Sequence, residues 1–179
     1  MSGMRRKTIL RTIRLSEEID NLLERDAQEQ NISTNALVSK IMTRYVEWDR
    51  AVEKLDVVSF SNVFFKALLD EVSDERLREI ASHEALGQIK NQTMWEFGKA
   101  NFDMLLKTVS LRAKYGWGSH MSVEGGDEGN YVITLRHKWG HKGIVFFRSF
   151  FDNLVRGELR TAPKIDVGDE VLIVSFQNP

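Results

Sequence analysis

The chain has no cysteine among its 179 residues. It can therefore form no disulfide framework, no thiolate metal centre and no cysteine nucleophile. A reducing cytoplasm is the expected setting. Long apolar runs are lacking too. The most hydrophobic stretch, Ile144 to Phe151, contains Arg148 and falls short of the roughly twenty residues that span a bilayer. The first residues are basic and polar and contain nothing like a secretion signal. No membrane partner is expected. Net charge is nearly absent, at -1, which argues against bulk attraction of the whole chain to nucleic acid. There are no internal repeats and no low-complexity segments.

The common patterns of catalysis are missing as well. Gly116-Trp117-Gly118 and Gly125-Gly126 lack the strand-to-helix setting of a phosphate loop. His137 and His141 are four apart, a spacing that chelates zinc on a helix, and His120 could join them across a hairpin. Gly140 lies between the two, however, and no glutamate follows the first as in His-Glu-x-x-His. Histidines at strand ends and in loops are the commoner case. No Ser-His-Asp order and no paired carboxylates stand out. The expectation is no enzyme, no catalytic residue, no metal and no cofactor.

What is present begins with an apolar fraction of 42%, enough for a packed core. The charge is unevenly divided. From Met1 to Leu15 every charged side chain is positive: Arg5, Arg6, Lys7, Arg11 and Arg14. From Ser16 to Gln30, Glu17, Glu18, Asp20, Glu24, Asp26 and Glu29 stand against Arg25 alone. A basic arm before an acidic helix is a field with direction. The plain alternative is a solvated basic tail.

Periodicity adds to the charge pattern. Thr8 to Leu15 alternates as a strand, with Ile9, Ile13 and Leu15 on one side and Thr8, Leu10, Thr12 and Arg14 on the other. Ser16 then offers an N-cap, with Glu17 and Glu18 in the first turn of a helix. Ile19, Leu22, Leu23 and Ala27 follow at helical spacing. Asn31 suits a left-handed residue after the helix. Ser33 caps a second helix whose stripe is Leu37, Val38, Ile41, Met42 and Tyr45. A lone strand before two helices has no partner within the segment, and an unpaired strand is a liability. Two copies pairing their strands antiparallel would satisfy both. The expected dimer core is Ile13, Leu15, Leu22, Leu37 and Ile41.

The order strand, serine cap, short helix, tight turn, serine cap, longer helix resembles the ribbon-helix-helix repressors of the Arc and MetJ type. The similar stretch runs from Thr8 to about Trp48. It is carried by Arg-Thr-Ile-Arg-Leu-Ser-Glu-Glu-Ile at 11–19 and Asn-Ile-Ser-Thr-Asn-Ala-Leu-Val at 31–38. The resemblance implies an intertwined dimer whose two-stranded ribbon enters the major groove of double-stranded DNA. By position the base-contacting residues are Leu10, Thr12 and Arg14. Arg5, Arg6 and Lys7 are the implied phosphate contacts of the arm. Ser33, Thr34 and Asn35 are those of the second helix's N-terminus. Two residues depart from the pattern. Leu10 is apolar where the family places a polar base reader, which leaves a thymine methyl contact at that position. Arg11 sits where an inward apolar residue is expected, and its stem can snorkel toward a phosphate. Outside this resemblance Arg14 reads as a solvated strand arginine, Thr12 as strand propensity, and Ser33 and Thr34 as caps.

The second helix is expected to run to about Lys54, which sets domains of 1–54 and 55–179. The second reads as an α+β domain with a small, largely antiparallel sheet. Its expected elements are a short strand at 55–60, then helices opened by Ser61 and Ser73, with the latter running through Ala81. Further helices follow at about 84–97 and 101–115. A hairpin of 120–124 and 131–137 comes next, then a phenylalanine-rich helix after Gly143 and a last strand at 171–176. The Phe-rich helix reads as core. The leading reading is a dimeric transcriptional regulator, with higher order on DNA left open, whose C-terminal domain senses a small-molecule effector, binds a protein partner or drives oligomerisation. The alternative is an antitoxin whose C-terminal part binds a protein partner. The folded look of that part ranks it second.

Overall fold

The computed structural model describes residues 9–55, 57–125 and 129–177. The chain divides into two compact units between Val46 and Glu47.

In the first unit, residues 9–16 are neither helix nor strand, and the first regular element is a helix. The expected strand at 8–15 is therefore not formed in the single chain; Thr8 lies outside the described residues. The physical reason is plain: a strand is defined by its ladder, and one copy supplies no second strand to this segment. Helix α1 spans Glu17–Glu29. Its N-cap Ser16 accepts the Ile19 N–H, and Glu17, Glu18 and Asp20 occupy its first turn. Asn31 takes the left-handed conformation with φ 57°, and the Ile32 N–H returns to the Ala27 carbonyl, closing the helix end. Helix α2 spans Thr34–Arg44, with Ser33 accepting the Ala36 N–H at 3.2 Å. A π-type turn, Tyr45–Asp49, follows, and then α3, Arg50–Leu55. Helical residues thus reach Leu55, close to the expected end.

The compact units divide earlier than the expected 54/55 boundary. The cause lies in Glu47 and Trp48. The Glu47 carboxylate accepts from Lys114 Nζ at 3.1 Å and from the Tyr115 hydroxyl at 2.9 Å. Trp48 is buried, its ring centroid 6.2 Å from that of Tyr115. A Cβ at Gly116 would lie 2.8 Å from the Trp48 ring, so only glycine admits the indole here. Glu47 and Trp48, expected near the end of the second helix, thus make their contacts with the second unit.

That unit is α+β, as expected, with a four-stranded antiparallel sheet. Residues 57–60 form no strand, contrary to expectation, and Leu55 is the last residue of α3. Helices α4 (Asn62–Asp70) and α5 (Asp74–Ile80) are capped by Ser61 and Ser73. A π-type turn, Ala81–Ala85, joins α5 to α6, Leu86–Phe97. The two helices expected on either side of residue 82 are thus one helical run, with Ala81 and Leu86 both buried. Asn101 caps α7, Phe102–Leu111, which ends in a third π-type turn, Arg112–Gly116. The hairpin follows as β1 (His120–Gly125) and β2 (Asn130–Arg136). Helix α8 spans Gly140–Leu159, starting earlier than expected. Two strands close the unit, β3 (Lys164–Val167) and β4 (Val171–Gln177). Strand β3 was not expected; its four residues offer too short an alternation to register. The sheet order is β1-β2-β4-β3.

Alternation sets which sheet face is covered. Ile133 and Leu135 of β2 and Leu172 and Val174 of β4 are fully buried and oppose one another in register. They belong to one core with Phe147, Phe150, Phe151, Leu154 and Val155 of α8. The Phe-rich helix is core, as the sequence suggested. Fully burying a side chain of this size stabilises by about 1.5–3 kcal/mol, so this layer dominates the unit's stability.

Candidate nucleic-acid interface

The first unit has almost no core of its own. Ala27 and Leu37 are buried, at 2% and 6% exposure. Ile13, Leu15, Ile19, Leu22, Ile41, Met42, Tyr45 and Val46 are all exposed large apolar side chains. Of the five expected dimer-core residues, Leu37 is buried within the single chain and the other four are uncovered. Ile19, Met42 and Tyr45 lie on the stripes read from the sequence. Val46 was missed, although it continues the spacing of Met42 by four. Ile9 and Ile32 add to the exposed set.

The expected base-contacting residues Leu10, Thr12 and Arg14 are all exposed, and Leu10 is 92% so. Among the described residues neither Arg11 nor Arg14 takes part in an ion pair. Their charge is available to an external anion. Arg5, Arg6 and Lys7 lie outside the described residues.

The two helix N-termini of the unit differ electrostatically. Each begins with amide N–H groups that have no intrahelical acceptor, the positive end of the dipole. Helix α1 fills that end with its own Glu17, Glu18 and Asp20. Helix α2 has no acidic residue in its first turn. Ser33 caps the Ala36 N–H, and the Thr34 and Asn35 amides belong to the first turn, which has no intrahelical acceptor for them. Ser33 and Asn35 are exposed and Thr34 half-buried. Of these two N-termini, that of α2 carries no acidic side chain of its own.

No family model matches this chain. Neither does any curated protein or any solved structure.

In the second unit the histidines four apart have separate surroundings. His137 is buried, its ring 5.2 Å from that of Phe147, and its Nδ1 accepts the Trp139 N–H at 3.3 Å. Burial pushes its pKa below the ordinary histidine value. His141 is exposed, with Nε2 3.2 Å from Asp74, which also accepts from Lys142 Nζ at 2.8 Å. These hydrogen bonds hold the Asp74 carboxyl below its usual value. Among the described residues no three His, Asp or Glu side chains come together as a metal site. No helix of the described residues is long and apolar enough to cross a membrane.

Proposed function

We propose that this chain is a homodimeric, sequence-specific DNA-binding regulator of the ribbon-helix-helix type. Residues 8–15 of two copies pair as an antiparallel ribbon, and the ribbon enters the major groove with Leu10, Thr12 and Arg14 toward the bases. The observation that carries this reading is the uncovered apolar face of the first unit. Ile13, Leu15, Leu22 and Ile41 lie open around a segment with no ladder, and a second copy would cover both at once. A large amount of exposed apolar surface on so small a unit is a mark of an interaction site. The acid-free N-terminus of α2 and the unpaired Arg11 and Arg14 support DNA as the further partner. Residues 47–179 then serve as a sensor or oligomerisation domain.

The test is selection of DNA from a random duplex pool by the full chain, followed by gel-shift titration of the selected site. Arg14→Ala should weaken binding to that site by about 1–3 kcal/mol and relax selectivity at one base position. Raising salt should weaken binding to any duplex. If Arg14→Ala discriminates selected from random DNA as well as the wild type does, the ribbon does not read the groove.

A further inference from the structure

At one end of the sheet in the second unit lies a cleft of about 380 Å³. The register brings it together: His120 of β1 opposes Arg136 of β2, and Arg136 opposes Val171 of β4. The cleft is lined by Ser119, His120, Arg136, His137, Lys138 and Glu170, among others. Arg136 and Lys138 are exposed, and among the described residues neither takes part in an ion pair. Its lining thus includes two positive residues and one negative one.

His137 is the unusual member. Its side chain is 3% exposed, yet Nε2 has no hydrogen-bond partner among the described residues. The Trp139 N–H donates to Nδ1, so the neutral ring carries its proton on Nε2. A residue that lines the cleft thus carries a buried N–H donor without an acceptor, a state that native proteins avoid. The ring cannot easily turn to find one. Phe147 packs on its face, and Gly143 lies so close that an added Cβ would be 2.6 Å from its Cε1 and Nδ1. The residue that carries this donor lines the same cleft as Arg136 and Lys138.

We propose that this cleft binds a small oxyanion, a carboxylate or a phosphate, with the His137 Nε2–H donating to it and Arg136 and Lys138 neutralising its charge. A buried neutral donor with flanking cations favours an oxyanion over a cation, and Glu170 disfavours a highly charged one. His137 stays neutral when the anion is absent because burial opposes its protonation. The site belongs wholly to the second unit and does not depend on the DNA-binding reading.

The experiment uses the full chain without DNA. Inorganic phosphate and succinate are titrated separately by calorimetry, and the His137 ring nitrogens are followed by NMR. Saturable binding at roughly millimolar or tighter is expected for at least one of them, with the His137 Nε2 resonance moving at the same midpoint. Which probe saturates identifies the anion class. Arg136→Gln with Lys138→Gln, both at exposed positions, should weaken binding roughly tenfold or more. His137→Phe keeps the ring packing and removes the donor, and should do likewise. The proposal is overturned if neither probe saturates by about 10 mM, or if the Arg136/Lys138 double variant binds as the wild type does.

Discussion

Helix α8 contains two glycines whose replacement by alanine should have opposite effects. Gly143 lies against His137 and Trp139. An alanine Cβ there would sit 2.6 Å from two His137 ring atoms and 2.8 Å from the Trp139 Cβ. Both neighbours are buried among aromatic rings, so neither yields at low cost. Overpacking of this kind costs about 1–3 kcal/mol. With three contacts under 3.0 Å the cost falls toward the upper end of that range, and alanine recovers about 1 kcal/mol of helix propensity, leaving a net loss of about 1–2 kcal/mol. Gly157 is in the same helix with nothing within 4 Å of its added Cβ. Gly157→Ala should therefore stabilise by something below 1 kcal/mol. Thermal unfolding followed by circular dichroism reads both. At about 2–4 °C per kcal/mol for a chain of this size, Gly143→Ala should lower Tm and Gly157→Ala should leave it level or raise it slightly. Equal or raised Tm for Gly143→Ala would mean that the His137 ring is free to move. The packing described around it would then be wrong.

The other predictions concern assembly and acid. Ile13→Asp places a charge in the layer proposed to pair between copies and should cost several kcal/mol of association. Sedimentation should show a wild-type dimer and a variant monomer at micromolar concentration, and a monomeric wild type would refute the ribbon. Asp74 has its pKa depressed, first by the hydrogen bond from Lys142 and then by that from His141. Its stabilising effect is present above the ordinary carboxylate value of about pH 4. It is lost as pH falls through the depressed value. Asp74→Asn should thus lower Tm at neutral pH, with the gap from wild type closing on acidification; a gap constant with pH would show that the ion pair contributes nothing.

Much of this architecture could be read from residue order because caps and alternation are local. Ser16, Ser33, Ser61 and Ser73 all cap the helices they precede, since a hydroxyl and the amide three residues on need no tertiary help. Strand β4 shows itself by period-two burial. Strand β3 does not, because its pairing with β4 comes from the fold and not from its own four residues. The segment 57–60 misled in the opposite way: its apolar residues invite a strand, yet they are exposed and join no sheet. The break expected near residue 82 reflects a real change in helical phase, taken for an end. At the candidate interface, residue types and caps were legible. The acid-free first turn of α2 could also have been read directly. What residue order could not supply is burial, which left Leu37 inside the single chain and Ile13, Leu15, Leu22 and Ile41 outside it.

The π-type turn between α5 and α6 bears on how this protein tolerates changes in length. Ala81 and Leu86 both face the core although they are five positions apart. In an α-helix five positions rotate a side chain by about 500°, well away from the starting face. The wider turn absorbs the surplus residue. A version of the chain one residue shorter here, lacking the exposed His83, would restore the ordinary spacing of four and keep both side chains inward. Elsewhere in the same helices a lost residue would swing every downstream side chain by about 100°. Single-residue gaps in this fold are therefore accommodated in the middle of a helix, at a position where loops would ordinarily be sought.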